Sequence, residues 1–387
     1  MNKKKIVILG SAYPLRGGLA SYNERLCRAF SEKDYNARIE TFKLQYPAFL
    51  FPGKTQYSKD KPPENINISV SVNSINPFNW IKIGNKIKKE KPDILIIKYW
   101  LPFMGPCFGT IARKVKKNKY TKVISILDNI IPHEKRPTDK IFTKYFIKPV
   151  DGFIAMSQSV LSDLSTFFDT SKPKIYSPHP LYDNYGKSIS KAEARQKLNI
   201  DRNVKLLLFF GLIRDYKGLD ILLNALADNI LADMNIKLLV AGEFYSDANK
   251  YYKIIDNKKL NDKVIITDNF VPDSEVSNYF CAADLVVQPY KTATQSGVTQ
   301  IAYHYEIPMI VTSVGGLPEL VLDGTTGYVV NPDPASVAKA IHKYFIENKE
   351  EEFKKNIAIE KKKYSWEKMI ESIESLLNQI LKNDNKK

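Results

Sequence analysis

Short apolar runs alternate with helix-length segments along almost the whole chain, and this alternation limits the fold more than any other feature. The first series lies at residues 5–9, 66–72, 93–97, 122–127 and 152–156. The second lies at 205–210, 236–241, 263–266, 284–288, 308–312 and 327–330. Runs that stay apolar without alternating read as strands buried on both faces, which occur in parallel sheets covered by helices. Two such series predict an α/β chain with two doubly wound domains. The expected domains are 1–183 and 184–364, with residues 365–387 as a separate closing helix and polar tail. Pro178-His179-Pro180 interrupts the pattern, polar residues 183–190 follow, and a short helix is expected over 191–198. Ser365 opens the last helix, whose stripe Ile370, Ile373, Leu376, Leu377 and Ile380 must be buried, and the first domain is the expected partner.

With 387 residues the chain is long enough for two or three domains. Its three cysteines, Cys27, Cys107 and Cys281, are widely separated, which excludes a disulfide scaffold or a cysteine metal site. No Asp-x-Asp pair and no His-Glu-x-x-His run is present, so no tightly held metal is expected, and no cofactor. The N-terminal apolar run is too short for a signal peptide. Nowhere do about 18 apolar residues accumulate as a membrane span requires. The reading is a cytoplasmic protein.

The net charge of +16 is lopsided. Residues 1–183 hold 31 Lys and Arg against 15 Asp and Glu, whereas residues 184–387 hold 27 of each. Segments 82–91, 113–122 and 135–148 carry much of the excess. The last interleaves Lys140, Lys144 and Lys148 with Ile141, Phe142, Tyr145, Phe146 and Ile147. Such mixtures suit an anionic membrane surface or an anionic acceptor, and equally a set of solvated helix faces. No nucleic-acid module is recognisable, and no nucleic-acid partner is expected. Residues 45–64 form a long, proline-rich, aromatic loop of the kind often used in function.

Four strand-end segments carry candidate chemistry. Gly211-Leu-Ile-Arg-Asp-Tyr-Lys-Gly218 follows one apolar run and enters a helix. Arg214 and Lys217 there suit an anion such as a diphosphate; a solvated basic loop is the competing reading. Gly17-Gly18 opens a helix after the first strand and would let backbone amides approach a phosphate, or simply form a turn. Residues 292–301 follow another strand. Ser296, Gly297 and Val298 present amides there, and Gln295, Thr299 and Gln300 offer side chains to a sugar, with helix capping as the alternative. The fourth segment, 127–134, holds Asp128, His133 and Glu134, and His133 is the histidine best placed for acid–base work.

Taken together these residues resemble the retaining GT-B glycosyltransferases of family 4, the glycosyl transferases group 1. The carriers are residues 211–218, Ala241-Gly-Glu243, Asn269-Phe-Val-Pro-Asp-Ser-Glu275, Ala282-Ala-Asp-Leu-Val-Val-Gln-Pro-Tyr290, Val314-Gly-Gly-Leu-Pro-Glu319 and Asp323-Gly-Thr-Thr-Gly-Tyr328. The resemblance implies two Rossmann-like domains facing across a cleft and a nucleotide-sugar donor bound mainly by the second. It implies that Arg214 and Lys217 hold the donor diphosphate, beside Gly211. Gly17 and Gly18 face that diphosphate, and Phe270 and Val271 meet the base. Residues 296–299 also touch the donor. The family's two glutamates, with seven residues between them, correspond here to Ala293 and Ile301, so Glu243, Gln295 or Gln300 would replace the ribose contact. Either Asp128 or His133 takes the role of a histidine that many relatives carry after the strand ending at residue 127.

The implied activity is retaining transfer of a sugar, from a UDP-sugar before a GDP-sugar, to a glycan or lipid-linked hydroxyl in surface polysaccharide or glycolipid synthesis. A nucleotide-sugar epimerase or hydrolase of the same shape and a non-catalytic basic surface-binding protein are the competing classes. A phosphorylase would need a pyridoxal lysine, for which no convincing site is visible.

Overall fold

The computed structural model describes residues 3–47, 51, 53–131, 136–167 and 171–385. The chain divides into two compact units, Met1–Pro180 with Tyr364–Lys387, and Leu181–Lys363.

The first unit contains β1 (Lys5–Leu9), α1 (Gly18–Glu32), β2 (Asn36–Leu44), β3 (Asn67–Asn73), α2 (Pro77–Glu90), β4 (Ile94–Tyr99), α3 (Gly105–Lys116), β5 (Lys122–Leu127), α4 (Asp139–Ile147), β6 (Gly152–Ala155), α5 (Gln158–Phe167) and β7 (Lys174–Tyr176). Its seven strands lie in the order β3-β2-β1-β4-β5-β6-β7, and every pairing is parallel. All six β4 residues are buried, as double-sided cover requires.

Two strands here carry no clear apolar run. β2 places Glu40 in the interior at 0% exposure. The charge is met by Arg38 on the same strand and Lys86 of α2, at 2.5 and 2.9 Å, with a further hydrogen bond from Ser71. β7 is only three residues long.

The second unit contains α6 (Lys191–Lys197), β8 (Lys205–Phe210), α7 (Leu219–Leu226), β9 (Ile236–Ala241), α8 (Asn249–Asn257), β10 (Val264–Thr267), α9 (Val276–Ala282), β11 (Leu285–Gln288), α10 (Gly297–His304), β12 (Met309–Thr312), α11 (Leu317–Leu320), β13 (Gly327–Val330), α12 (Pro334–Ile346) and α13 (Glu350–Glu360). Its six strands lie in the order β10-β9-β8-β11-β12-β13, again all parallel. All six expected runs of this half are strands.

The expected boundary after residue 183 moves to Pro180. Leu181, Tyr182 and Asp183 fall in the second unit. Tyr182 stacks on Tyr185 with ring centres 5.2 Å apart, and the Tyr185 carbonyl accepts a 2.7 Å hydrogen bond from the Tyr305 hydroxyl. Aromatic packing therefore ties the linker to this unit.

The closing helix α14 (Trp366–Asp384) is capped by Ser365, whose side chain accepts from the Lys368 amide. Its stripe Ile370, Ile373, Leu376, Leu377 and Ile380 is buried, and it packs on β5, β6, β7 and α1 of the first unit.

Candidate functional site

In an open parallel sheet, ligands bind beyond the carboxyl ends of the strands, where neighbouring connections diverge. In the second unit that point lies between β8, which is followed by β9 on one side, and β11 on the other. Residues 211–218 leave β8 and residues 289–296 leave β11, so both predicted segments flank it.

The two segments interlock through their backbones. The Lys291 amide donates to the Tyr216 carbonyl at 2.7 Å, and the Tyr216 and Tyr290 rings meet edge to face at 5.9 Å. Gly218 has φ +71, and a methyl group there would lie 1.9 Å from the Pro289 carbonyl oxygen. Only glycine fits this turn and this contact. Gly211 faces the Lys217 ammonium and Val298, which a Cβ would meet at 3.0 and 3.6 Å. The structure thus brings Gly211, Lys217 and Val298 together.

Lys217 is 8% exposed. Burial, and then the neighbouring Arg214 charge, pull its ammonium down to about 7. The carboxylates of this loop are engaged elsewhere. Asp215 pairs with Lys250, and Asp220 pairs with Lys291 at 2.7 Å. Lys217 instead sits 5.7 Å from the Tyr290 ring centre, and the Arg214 guanidinium 5.2 Å from that of Tyr245. No acidic side chain forms a salt bridge with either cation among the described residues. Two adjacent cations with aromatic neighbours and no carboxylate partner among the described residues suit a multiply charged anion.

The 296–299 turn is pinned from below. Ser296 Oγ donates to Gln288 Oε1 at 2.7 Å, and Gln288 Nε2 donates to Thr299 Oγ1 at 3.2 Å. Ser296 precedes Gly297 at the start of α10 without a side-chain capping bond, so its hydroxyl anchors the turn to β11. The Thr299 hydroxyl is likewise held inward.

Gln300 is 0% exposed, and neither end of its amide has a partner in the structure. Glu243 is buried, and its carbonyl accepts from the Ile213 amide at 2.9 Å. Gln295 lies in the loop between β11 and α10. Phe270 and Val271 follow β10, the edge strand, two strands from β8.

In the first unit, Gly17 (φ +97) precedes Gly18, the first residue of α1, without a side-chain cap. Asp128 follows β5 directly, and its amide donates to the Tyr99 carbonyl at 2.8 Å. His133 lies outside the described residues. A buried partner for Asp128 that the sequence did not disclose is Lys98 of β4, whose Nζ donates to Asp128 Oδ1 at 2.8 Å. His179 is fully sequestered, and burial followed by the Lys98 charge pulls it down to about 3. It is therefore a neutral packing residue. Among the described residues no group of three or more His, Cys, Asp or Glu side chains is arranged to hold a metal.

With this geometry in place, residues 204–346 match the family Glycosyl transferases group 1. That segment resembles a group 1 glycosyl transferase domain. The D-inositol 3-phosphate glycosyltransferase 1 of Catenulispora acidiphila is 27% identical over 205 residues, covering 50% of this chain and 49% of that one. The chain thus spans about half the length of the curated relatives it matches.

Among solved structures, a sucrose-phosphate synthase from Thermosynechococcus elongatus superposes with a TM-score of 0.76 at 16% identity, covering 98% of this chain and 100% of that one. The HepE protein of Anabaena in complex with UDP-glucose superposes with a TM-score of 0.70 at 17% identity, covering 99% and 100%. These likenesses show that the fold is GT-B.

Proposed function

We propose that the protein is a retaining hexosyltransferase that moves a sugar from a UDP-sugar to an acceptor hydroxyl without a metal. One observation carries this reading: Arg214 and Lys217, adjacent and without a carboxylate counter-ion among the described residues, stand at the diverging strand ends of a domain that resembles group 1 glycosyl transferases. The UDP-glucose complex of a GT-B neighbour supports a uridine donor.

In this reading the two cations grip the diphosphate and stabilise the charge that builds on it as the glycosidic bond breaks. The departing phosphate accepts the acceptor's proton on the same face of the sugar, so no dedicated nucleophile is required. Asp128 orients a sugar hydroxyl, and α1 behind Gly17 and Gly18 offers backbone amides to phosphate. The buried amide of Gln300 supplies the ribose contact that Ala293 and Ile301 lack.

The acceptor is proposed to be a glycan or lipid-linked sugar, met at an anionic membrane surface by the basic first unit. Phe78 of α2 and Ile141 of α4 are 82% and 68% exposed beside Lys82, Lys140 and Lys144, a pairing of apolar and basic groups that fits such a surface. Among the described residues no helix is long and apolar enough to cross a membrane.

Thermal-shift screening with UDP, GDP and ADP tests the donor assignment. UDP at 100 times its dissociation constant contributes about 2.7 kcal/mol, a rise of several degrees. UDP should raise the midpoint most, and Arg214→Ala and Lys217→Ala should abolish the rise. No shift with any of the three nucleotides would overturn the reading.

A further inference from the structure

Lys98 is the exceptional residue of β4. Its neighbours Ile94, Leu95, Ile96, Ile97 and Tyr99 form the apolar centre of the sheet, yet Lys98 is 1% exposed among them. A buried ammonium is costly unless it is paired and held. Beyond its 2.8 Å bond to Asp128, its Nζ lies 3.9 Å from Met156 Sδ and 3.4 Å from the centre of the Tyr22 ring.

Tyr22 is in turn fixed, with its ring centre 5.1 Å from His179 and 5.0 Å from Trp366. Three segments of the first unit therefore meet this β4 ammonium, namely α1 through Tyr22, the residue after β5 and the residue after β6, while Trp366 of α14 backs the Tyr22 ring. Replacing a buried ion pair by apolar groups of similar volume is often neutral or stabilising, so packing alone gives no reason for the charges. What the arrangement supplies is a buried cation bonded to one oxygen of the Asp128 carboxylate.

We propose that Lys98 is a positioning residue that fixes the Asp128 carboxylate at the carboxyl end of β5, where that carboxylate accepts a hydrogen bond from a sugar hydroxyl. The proposal rests on the transferase reading above. Lys98 itself touches no substrate and acts only through Asp128.

A double-mutant cycle on the full chain tests this. Kinetics of transfer from UDP-glucose and the UDP thermal shift are measured for Lys98→Met, Asp128→Asn and the double variant. Each single variant should lower kcat by about 10²-fold, the typical effect of a reacting group misplaced by an ångström. The double variant should be no worse than either single one. The UDP thermal shift, which reads the second unit's cations, should be unchanged in all three.

Should Lys98→Met fail to fold with a carboxylate left unpaired, the comparison of Asp128→Asn with the uncharged double variant still decides. A further tenfold loss on removing Lys98 from the Asp128→Asn background would overturn the proposal, as would near-normal kcat in Asp128→Asn. A wild-type protein that binds UDP and transfers no sugar would overturn the transferase reading and this role with it. UDP binding lost in the variants but kept in the wild type would show Lys98 to be structural only.

Discussion

Lys217 pays for its place at the end of β8 in desolvation and in repulsion from Arg214. Its folded value of about 7 lies below the ordinary lysine value of 10.5, so between these values the unfolded chain binds more protons. This group's contribution to stability therefore rises with pH across that window and is least favourable below about pH 7. A bound diphosphate reverses the preference by favouring the ammonium. UDP affinity should accordingly fall as pH rises from about 7 to about 9, with proton uptake on binding. Calorimetry should show this slope in the wild type and a flatter one in Lys217→Arg, whose charge does not titrate; equal slopes would contradict the assignment. Arg214 and Lys217 were legible in the sequence because they sit between glycines after a strong apolar run. Lys98 was not, because its partner lies thirty residues away and a single lysine in an apolar run carries no mark of what it meets.

At the scale of elements, strands showed in the sequence in proportion to their apolar continuity. All six strands of the second unit are continuous runs, and all were found. β2 was not, because it carries Arg38 and Glu40 and resolves their charge through Lys86 of α2, a contact no local pattern reveals. The stripe of α14 was legible at helical spacing, and the first unit was the expected partner. Leu376 and Ile380 reach Gly152 of β6, where a Cβ would meet them at 3.0 and 2.9 Å. Ile373 is 0% exposed on the same face. Its replacement by alanine should cost about 2–5 kcal/mol, read as a fall in the denaturant midpoint of unfolding. An unchanged midpoint would show that α14 does not close the first unit's core.

Across the whole molecule the strand order recurs, 3-2-1-4-5-6 in the second unit and the same with one added strand in the first. Repeated βα pattern made the fold class readable, whereas the departures at Ala293 and Ile301 left the ribose contact open, and the buried, unpartnered amide of Gln300 carried no local sign in the sequence. Charge does not repeat, since the excess of +16 resides in residues 1–183. The chain should therefore sediment with anionic vesicles and not with neutral ones, and salt should weaken the association. Phe78→Ser with Ile141→Ser should reduce it further, and equal recovery with both vesicle types would remove the membrane contact. The central claim, that Arg214 and Lys217 receive a sugar-nucleotide diphosphate, is tested most directly by a crystal structure with UDP bound. The account predicts diphosphate oxygens within hydrogen-bond distance of both side chains, beside Gly211 and the start of α10. A diphosphate seated elsewhere, with both cations facing solvent, would contradict it.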